Sequence, residues 1–401
     1  MARTHYSEIE GRSRGFYALL AALAALILAG LGGAWYMEHY GHYVTGMSNR
    51  IVWGAPHVFA IFLIVAASGV LNVASIASVF GRDLYKPLAR LSGLLALSLL
   101  AGGLAVLVLD LGRSDRMIVA MTHYNFKSIF AWNIFLYTGF FAIVAVYLWT
   151  MFERRMNDYS KPAGLLALFW RLILTTGTGS ILGFLVAREA YDSALLAPMF
   201  IIMSFSFGLA IYVLVLMAAC GWTGRALGDV TLARLKNLLG VFVAAVLYFV
   251  AIHHLTNLYM ARQHDVERFM LIEGGIYTAV FWFGQILVGS LLPLALLFVP
   301  ALGRSRRAIA AAAACVILGG LAQLYVLVIG GQAYPQLLFP GKEVSSSFFD
   351  GAVAAYAPSL PEVALGVGGV AFALALTAVA LKILPFLPRS LADGDVDAAA
   401  S

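Results

Sequence analysis

The chain has 401 residues, of which 62% are hydrophobic and only 11% charged, with a formal net charge of +6 at pH 7. Its mean hydropathy is +0.89. Soluble domains carry about 25% charged residues, so this composition excludes an ordinary soluble globule, and the apolar runs between short polar loops predict an all-α polytopic membrane protein.

In chain order, windows of about 20 apolar residues predict ten spans: 15–37, 53–80, 88–111, 128–151, 163–187, 194–221, 233–261, 273–302, 308–330 and 361–386. The apolar run after the N-terminal segment 1–14 reads as a retained first span, because no small-residue cleavage site precedes it. The chain thus divides into a tail 1–14, a membrane domain 15–386 whose longest loop is 331–360, and a tail 387–401. With the N-terminus inside, 17 of the 26 lysines and arginines fall on inner segments and eight on outer ones; Arg171 lies within a span. The positive-inside rule therefore predicts that both termini face the cytoplasm and that loop 331–360 faces out. The positive charge belongs to a membrane face and implies no nucleic acid.

That orientation gives each polar residue a depth. His57 opens the second span, Asp110 and Arg113 close the third in VLDLGR, and Trp132 and Asn133 begin the fourth. Glu189 closes the fifth, and His253 and Asn257 share one face near the outer end of the seventh. Ionisable groups in lipid are expensive and face a protein interior in pairs. Their similar depth predicts one outer pocket, with Asp110, Arg113, His253 and Glu189 handling protons and His57, Trp53, Asn133, Trp132 and Asn257 holding a ligand. His254 points about 100° away from His253, and His253 is the one expected in the pocket. The ordinary alternatives are interfacial polar residues, an aromatic belt for the tryptophans, and Arg113 merely neutralising Asp110.

A second stripe lies deeper. Ser68, Asn72 and Ser75 follow one helix face in ASGVLNVASIASVF, and Arg171 with its neighbouring threonines lies on the fifth span. The stripe is either a proton path or close helix packing by small hydroxyl residues.

A proton-exchanging pocket open to lipid suits a quinol, whose oxidation releases two protons and two electrons. Quinone would be an exchangeable substrate. Cys220 and Cys315 are isolated, with no CxxC or CxxCH, so the chain cannot hold an iron–sulfur cluster or c-type haem by itself. No bound metal is expected, and a partner must take the electrons. The competing readings are a membrane subunit with one b-type haem and an anchor without redox chemistry.

Four stretches carry a resemblance: LDLGR at 109–113, NFKSIFAWNIFLYTGFF at 125–141, IEGGIYTAVFWFGQI at 272–286 and FPGKEVSSSFFDGAVAAYAPSLPEVALG at 339–366. The chain resembles the NrfD/PsrC-type family, the membrane subunits of polysulfide reductase, and looks closest to the DsrP branch of the sulfite-reduction-associated transmembrane complex. The resemblance implies two central four-helix bundles in a bacterial inner membrane and electron exchange with menaquinone or ubiquinone near the outer face. The implied partners are a periplasmic ferredoxin-like iron–sulfur subunit, a cytochrome c subunit, a haem-b membrane subunit and a cytoplasmic iron–sulfur subunit, with a role in dissimilatory sulfur metabolism. Asp110 and Arg113 fall on the family's motif; the histidines come from the depth argument alone.

Overall fold

Among the described residues, ten helices long and apolar enough to cross a membrane organise the chain: α1 (Arg14–Tyr40), α2 (Ala55–Ser78), α3 (Asp83–Leu109), α4 (Ile129–Phe152), α5 (Arg154–Gly183), α6 (Leu196–Thr223), α7 (Asp229–Tyr259), α8 (Ile276–Phe298), α9 (Arg306–Ala333) and α10 (Leu360–Ile383). The computed structural model describes residues 5–335 and 351–394. Residues 336–350, half of the expected long loop and the start of the fourth resemblance stretch, lie outside the described residues. All ten predicted spans are present. Their ends differ by a few residues, most at the start of α5, where a 3-10 turn over Arg154–Tyr159 leads into the helix.

Ten crossings return the chain to the face where it began. Two short strands join its ends there: β1 (Tyr6–Ser7) pairs antiparallel with β2 (Leu387–Pro388). Arg225, just after α6, clamps the pair by donating to the carbonyls of Ser7, Glu8, Leu387 and Pro388. We call this the termini face and the opposite one the distal face.

Helices α2–α5 close one four-helix bundle and α6–α9 a second; α10 packs on α2 and α3, and α1 packs mainly on α10. The bundles meet where α2 crosses α6. These are the most enclosed helices, 83% and 72% buried over their apolar windows against 11% for α1. The crossing depends on absent side chains. A Cβ on Gly69 would sit 1.6 Å from the Ser204 carbonyl oxygen, and one on Gly208 2.2 Å from the Val70 nitrogen. Close approach through small residues is how membrane helices gain packing when lipid is as apolar as the protein.

Helix α2 breaks at Leu71, between Ala55–Val70 and Asn72–Ser78. The backbone groups freed there find Ser92 of α3, whose hydroxyl accepts from Ala74 N–H at 3.2 Å and donates to the Val70 carbonyl at 2.8 Å. Such repair is what allows a broken helix at membrane depth. Longer irregularities lie in the second bundle: α8 runs as a π-helix over Val280–Leu291 and α9 over Val326–Gly330.

Candidate functional site

Three residues from three segments meet under the distal face. Pro56 in the first turn fixes the start of α2, with Gly54 as its N-cap, and this places His57 in the first turn of the helix. Asp110 is the residue on which α3 ends. His42 comes from a 3-10 turn, His42–Val44, after α1. Asp110 is only 5% exposed. His57 Nδ1 lies 2.9 Å from its Oδ2, and His42 Nε2 lies 3.7 Å from its Oδ1. His42 Nε2 also donates to the Asp110 backbone carbonyl at 3.2 Å. Neither carboxylate oxygen nor His57 Nδ1 has an aligned hydrogen bond, so these are close charge contacts whose directional capacity stays open to a ligand. Burial alone would raise the Asp110 pKa, but the two imidazoles outweigh it and hold the carboxyl below its ordinary value. The same contact, with the Asp110 side chain as its main cause, raises the pKa of His42.

Gly112 explains why the LDLGR stretch needs its glycine. Its φ is +67°, and a Cβ there would meet His42 Cε1 at 3.1 Å. Arg113 turns away and forks onto Asp115 with two 3.0 Å bonds. Arg113 thus neither joins Asp110 in the expected pocket nor neutralises it, as the ordinary alternative had it; the two histidines take that place.

A strap roofs this group. Ala55 N–H donates to Tyr356 Oη at 2.6 Å, and Tyr356 in turn donates to Glu362 Oε1 at 2.8 Å. Glu362, 0% exposed, also accepts from Gly46 and Ser359 N–H. On the other side Gln332 bonds the backbone of Val52 and Trp53, and Arg188 donates to the carbonyls of Gln332 and Arg50.

Beside His57 the wall is aromatic. The Trp53 ring lies 6.3 Å from His57, 6.2 Å from Phe130 and 6.5 Å from Tyr191. Phe130 and Trp132 are 48% exposed, and the rings of Phe126, Trp132 and Phe135 cluster at about 6 Å around the start of α4. Trp132 Nε1 is held by the Phe126 carbonyl. One turn below Phe130, Asn133 ties α4 to α5 through Gly177 O at 3.3 Å, leaving its Oδ1 buried without a partner.

The single pocket expected from depth resolves into two groups. His253 and Asn257 belong to the second bundle, where Asn257 Nδ2 donates to Glu267 Oε1 at 2.8 Å and His254 Nδ1 lies 2.6 Å from Glu267 Oε2. His254, not His253, carries the carboxylate contact. Tyr191 links the groups: its ring meets Trp53, and its neighbour Ala190 lines the cavity beside His253. Glu189 is exposed and is tied down by its backbone carbonyl, which accepts from Gln263. Sequence gives depth along a helix but not the direction around the bundle, and that missing angle separates these residues. His42, Glu267 and Glu362 were not singled out from sequence. Only Glu362 had a local signal, the Ser-x-x-Glu capping box at 359–362.

The deeper stripe is continuous with Arg171. Ser68 Oγ lies 2.7 Å from Thr175 Oγ1 and donates to the Arg171 carbonyl, while Arg171 Nη1 donates to Ser68 O at 3.3 Å. The guanidinium stacks over Phe205 at 5.3 Å, and no carboxylate pairs with it among the described residues. Asn72 Nδ2 and Arg171 Nε are buried without partners among the described residues, and Ser75 is buried one turn beyond Asn72.

A cavity of about 1370 Å³ opens instead at the termini face and is lined mostly by apolar side chains such as Phe59, Phe62, Leu99 and Leu374. Its titratable residues, among them Glu8, Arg12 and Arg389, come from the chain ends and the Arg225 loop. A proton-exchanging ring seated deep within it would have no partner there.

The family profile described as "Polysulphide reductase, NrfD" matches residues 43–336. The chain belongs to the NrfD family. It is 30% identical over 387 residues to the "Hdr-like menaquinol oxidoreductase integral membrane subunit" of Archaeoglobus fulgidus, covering 96% of this chain and 97% of that one. It is 27% identical to a protein of Halobacterium salinarum named as a membrane subunit of dimethyl sulfoxide reductase, over 93% of this chain and 92% of that one. It is 23% identical to a selenate reductase subunit of Mesobacillus selenatarsenatis, over 86% and 88%. An NrfD-family chain with ten membrane-spanning helices is a multi-pass membrane protein, and these relatives are named as subunits of several different oxidoreductases, not of one sulfite-linked complex.

Proposed function

We propose that this chain is the quinone-binding membrane subunit of a redox complex, with its ring site at His42, His57 and Asp110. The observation that carries the reading is a buried carboxylate flanked by two imidazoles and joined through Trp53 to exposed aromatic rings at membrane depth. The first relative's name, a menaquinol oxidoreductase subunit, supports the same ligand class. A quinol hydroxyl at this site gives its proton to the His57–Asp110 pair as the ring loses electrons; the second hydroxyl releases another, so two protons and two electrons leave per quinol. Run in reverse, the same groups return the protons to a reduced quinone. Trp53 packs on the ring, Asn133 Oδ1 is free to accept from a hydroxyl, and the isoprenoid tail lies along Phe126, Phe130 and Trp132 in lipid.

The electrons pass to a partner docked on the distal face, which we assign to an iron–sulfur protein on the periplasmic side of a bacterial inner membrane. The complex also holds haem-b and cytochrome c subunits and a cytoplasmic iron–sulfur protein, and its place is in dissimilatory sulfur metabolism. Ser68, Asn72, Ser75 and Arg171 offer a route for protons toward the other face.

Binding of a hydroxyquinoline N-oxide, a quinol analogue, to the purified chain tests the ring site. Losing a charge-assisted hydrogen bond removes about 1.5–3 kcal/mol, so Asp110→Asn and His57→Ala should each weaken binding about tenfold or more, while His253→Ala stays within about twofold. Undiminished affinity in both of the first two variants would overturn the assignment. A reduced-minus-oxidised spectrum of the chain alone separates it from the mono-haem reading.

A further inference from the structure

The second bundle holds its own imidazole–carboxylate pair, and the quinone reading leaves it unused. Glu267 sits on a short helix, His264–Arg268, between α7 and α8, and its side chain is 1% exposed. A bare carboxylate so buried is costly unless it is paired and hydrogen-bonded. Glu267 meets that condition: His254 Nδ1 lies 2.6 Å from one oxygen and Asn257 Nδ2 donates to the other at 2.8 Å.

Next to the pair is a cavity of about 40 Å³, lined by His253, His254, Asn257, Glu267, Gln285 and Gln323 among apolar residues. A water needs roughly 10–15 Å³ of such space and two or more polar partners. The volume therefore admits water and is far too small for a quinone ring. Gln323 is 4% exposed and its Nε2 has no partner among the described residues, a buried donor still lacking an acceptor. Among the described residues His253 makes long hydrogen-bond contacts, 3.5 Å to Ser193 Oγ and 3.4 Å to Asn257 Nδ2. The π-helical stretches of α8 and α9 contribute Phe281, Gln285, Val326 and Leu327 to this wall. Such irregular turns recur at functional sites.

We infer that His254, Glu267 and water held by Gln323 form a proton-exchanging site separate from the His42–His57–Asp110 group. The titratable side chains facing it are His253 and His254 from α7 and Glu267 itself; α8 and α9 present the amides of Gln285 and Gln323, and Arg268 turns outward onto Glu273. His254 keeps 17% of its side chain exposed and is the way in. A proton arriving at its Nε2 is matched by transfer of the Nδ1 proton to Glu267 Oε2, so the pair gains one proton and the carboxylate inside the bundle loses its charge.

Infrared difference spectra of the full chain in lipid nanodiscs, taken between acid and alkaline pH, test this. The expected result is a protonated-carboxyl band that is absent in Glu267→Gln and retained in Asp110→Asn. His254→Asn should shift that band in frequency, because the imidazole bonded to Glu267 is lost, and Gln323→Leu should abolish a water O–H band that shifts in oxygen-18 water. Persistence of that same band in Glu267→Gln, or its unmoved frequency in His254→Asn, would overturn the inference whatever the quinone-analogue binding shows. The His254 and Gln323 variants also serve if Glu267→Gln does not fold.

Discussion

At the scale of single residues, His42 is the part of the site with the clearest pH signature. Contact with Asp110 raises its pKa above the ordinary imidazole value, so the folded protein binds a proton there more tightly than the unfolded chain does. Its stabilisation is complete below the unfolded value near 6.5 and is lost as pH rises through the higher folded value. Thermal unfolding in detergent should therefore show a melting temperature that falls as pH rises from about 6.5, and His42→Asn should flatten that fall. An identical slope in the variant would sink the pairing. The sequence could not announce this residue. His42 lies 68 positions from Asp110 in an exposed-looking turn, and nothing local marks it. Asp110 was readable because a charged residue closing an apolar span already needs an explanation, and Gly112 beside it was readable as a turn though not as the clearance for an imidazole.

Among the helices, packing rests on where side chains are missing. Gly69 and Gly208 are in backbone contact across the α2–α6 crossing, whereas a Cβ on Gly32 of α1 would meet nothing within 4 Å. Gly208→Ala and Gly69→Ala should each cost about 2 kcal/mol or more, as overpacking does. Gly32→Ala should be neutral or stabilising by about 0.5–1 kcal/mol, the difference in helix propensity. Chemical unfolding followed by tryptophan emission would rank the three, and equal effects would contradict the crossing. Helix existence was plain from hydropathy because every crossing needs a long apolar run. The break at Leu71 and the π-helical turns of α8 and α9 were not, since they follow from partners such as Ser92 on other helices.

For the whole molecule, the ten spans and their order came through from sequence, and the angular placement of their polar faces did not. The pairing of β1 with β2 puts both ends of the described chain on one face, and the positive-inside rule makes the cytoplasmic side our proposal for that face. A fluorescent protein fused at either end should fold and shine in cells, while alkaline phosphatase fused there stays inactive; activity at either end would reverse the orientation and put the His42–Asp110 group on the other side. Helix α1 leans almost wholly on α10: a Cβ on Gly33 would come within 2.7 Å of the Pro361 carbonyl, and one on Gly30 within 3.0 Å of Gly368. Helix α1 thus waits in the bilayer for α10 before it has its main mooring, and Glu362 of α10 ties down Tyr356 and Gly46. Because α10 follows the other nine spans in the chain, these fastenings close only after all of them have been synthesised.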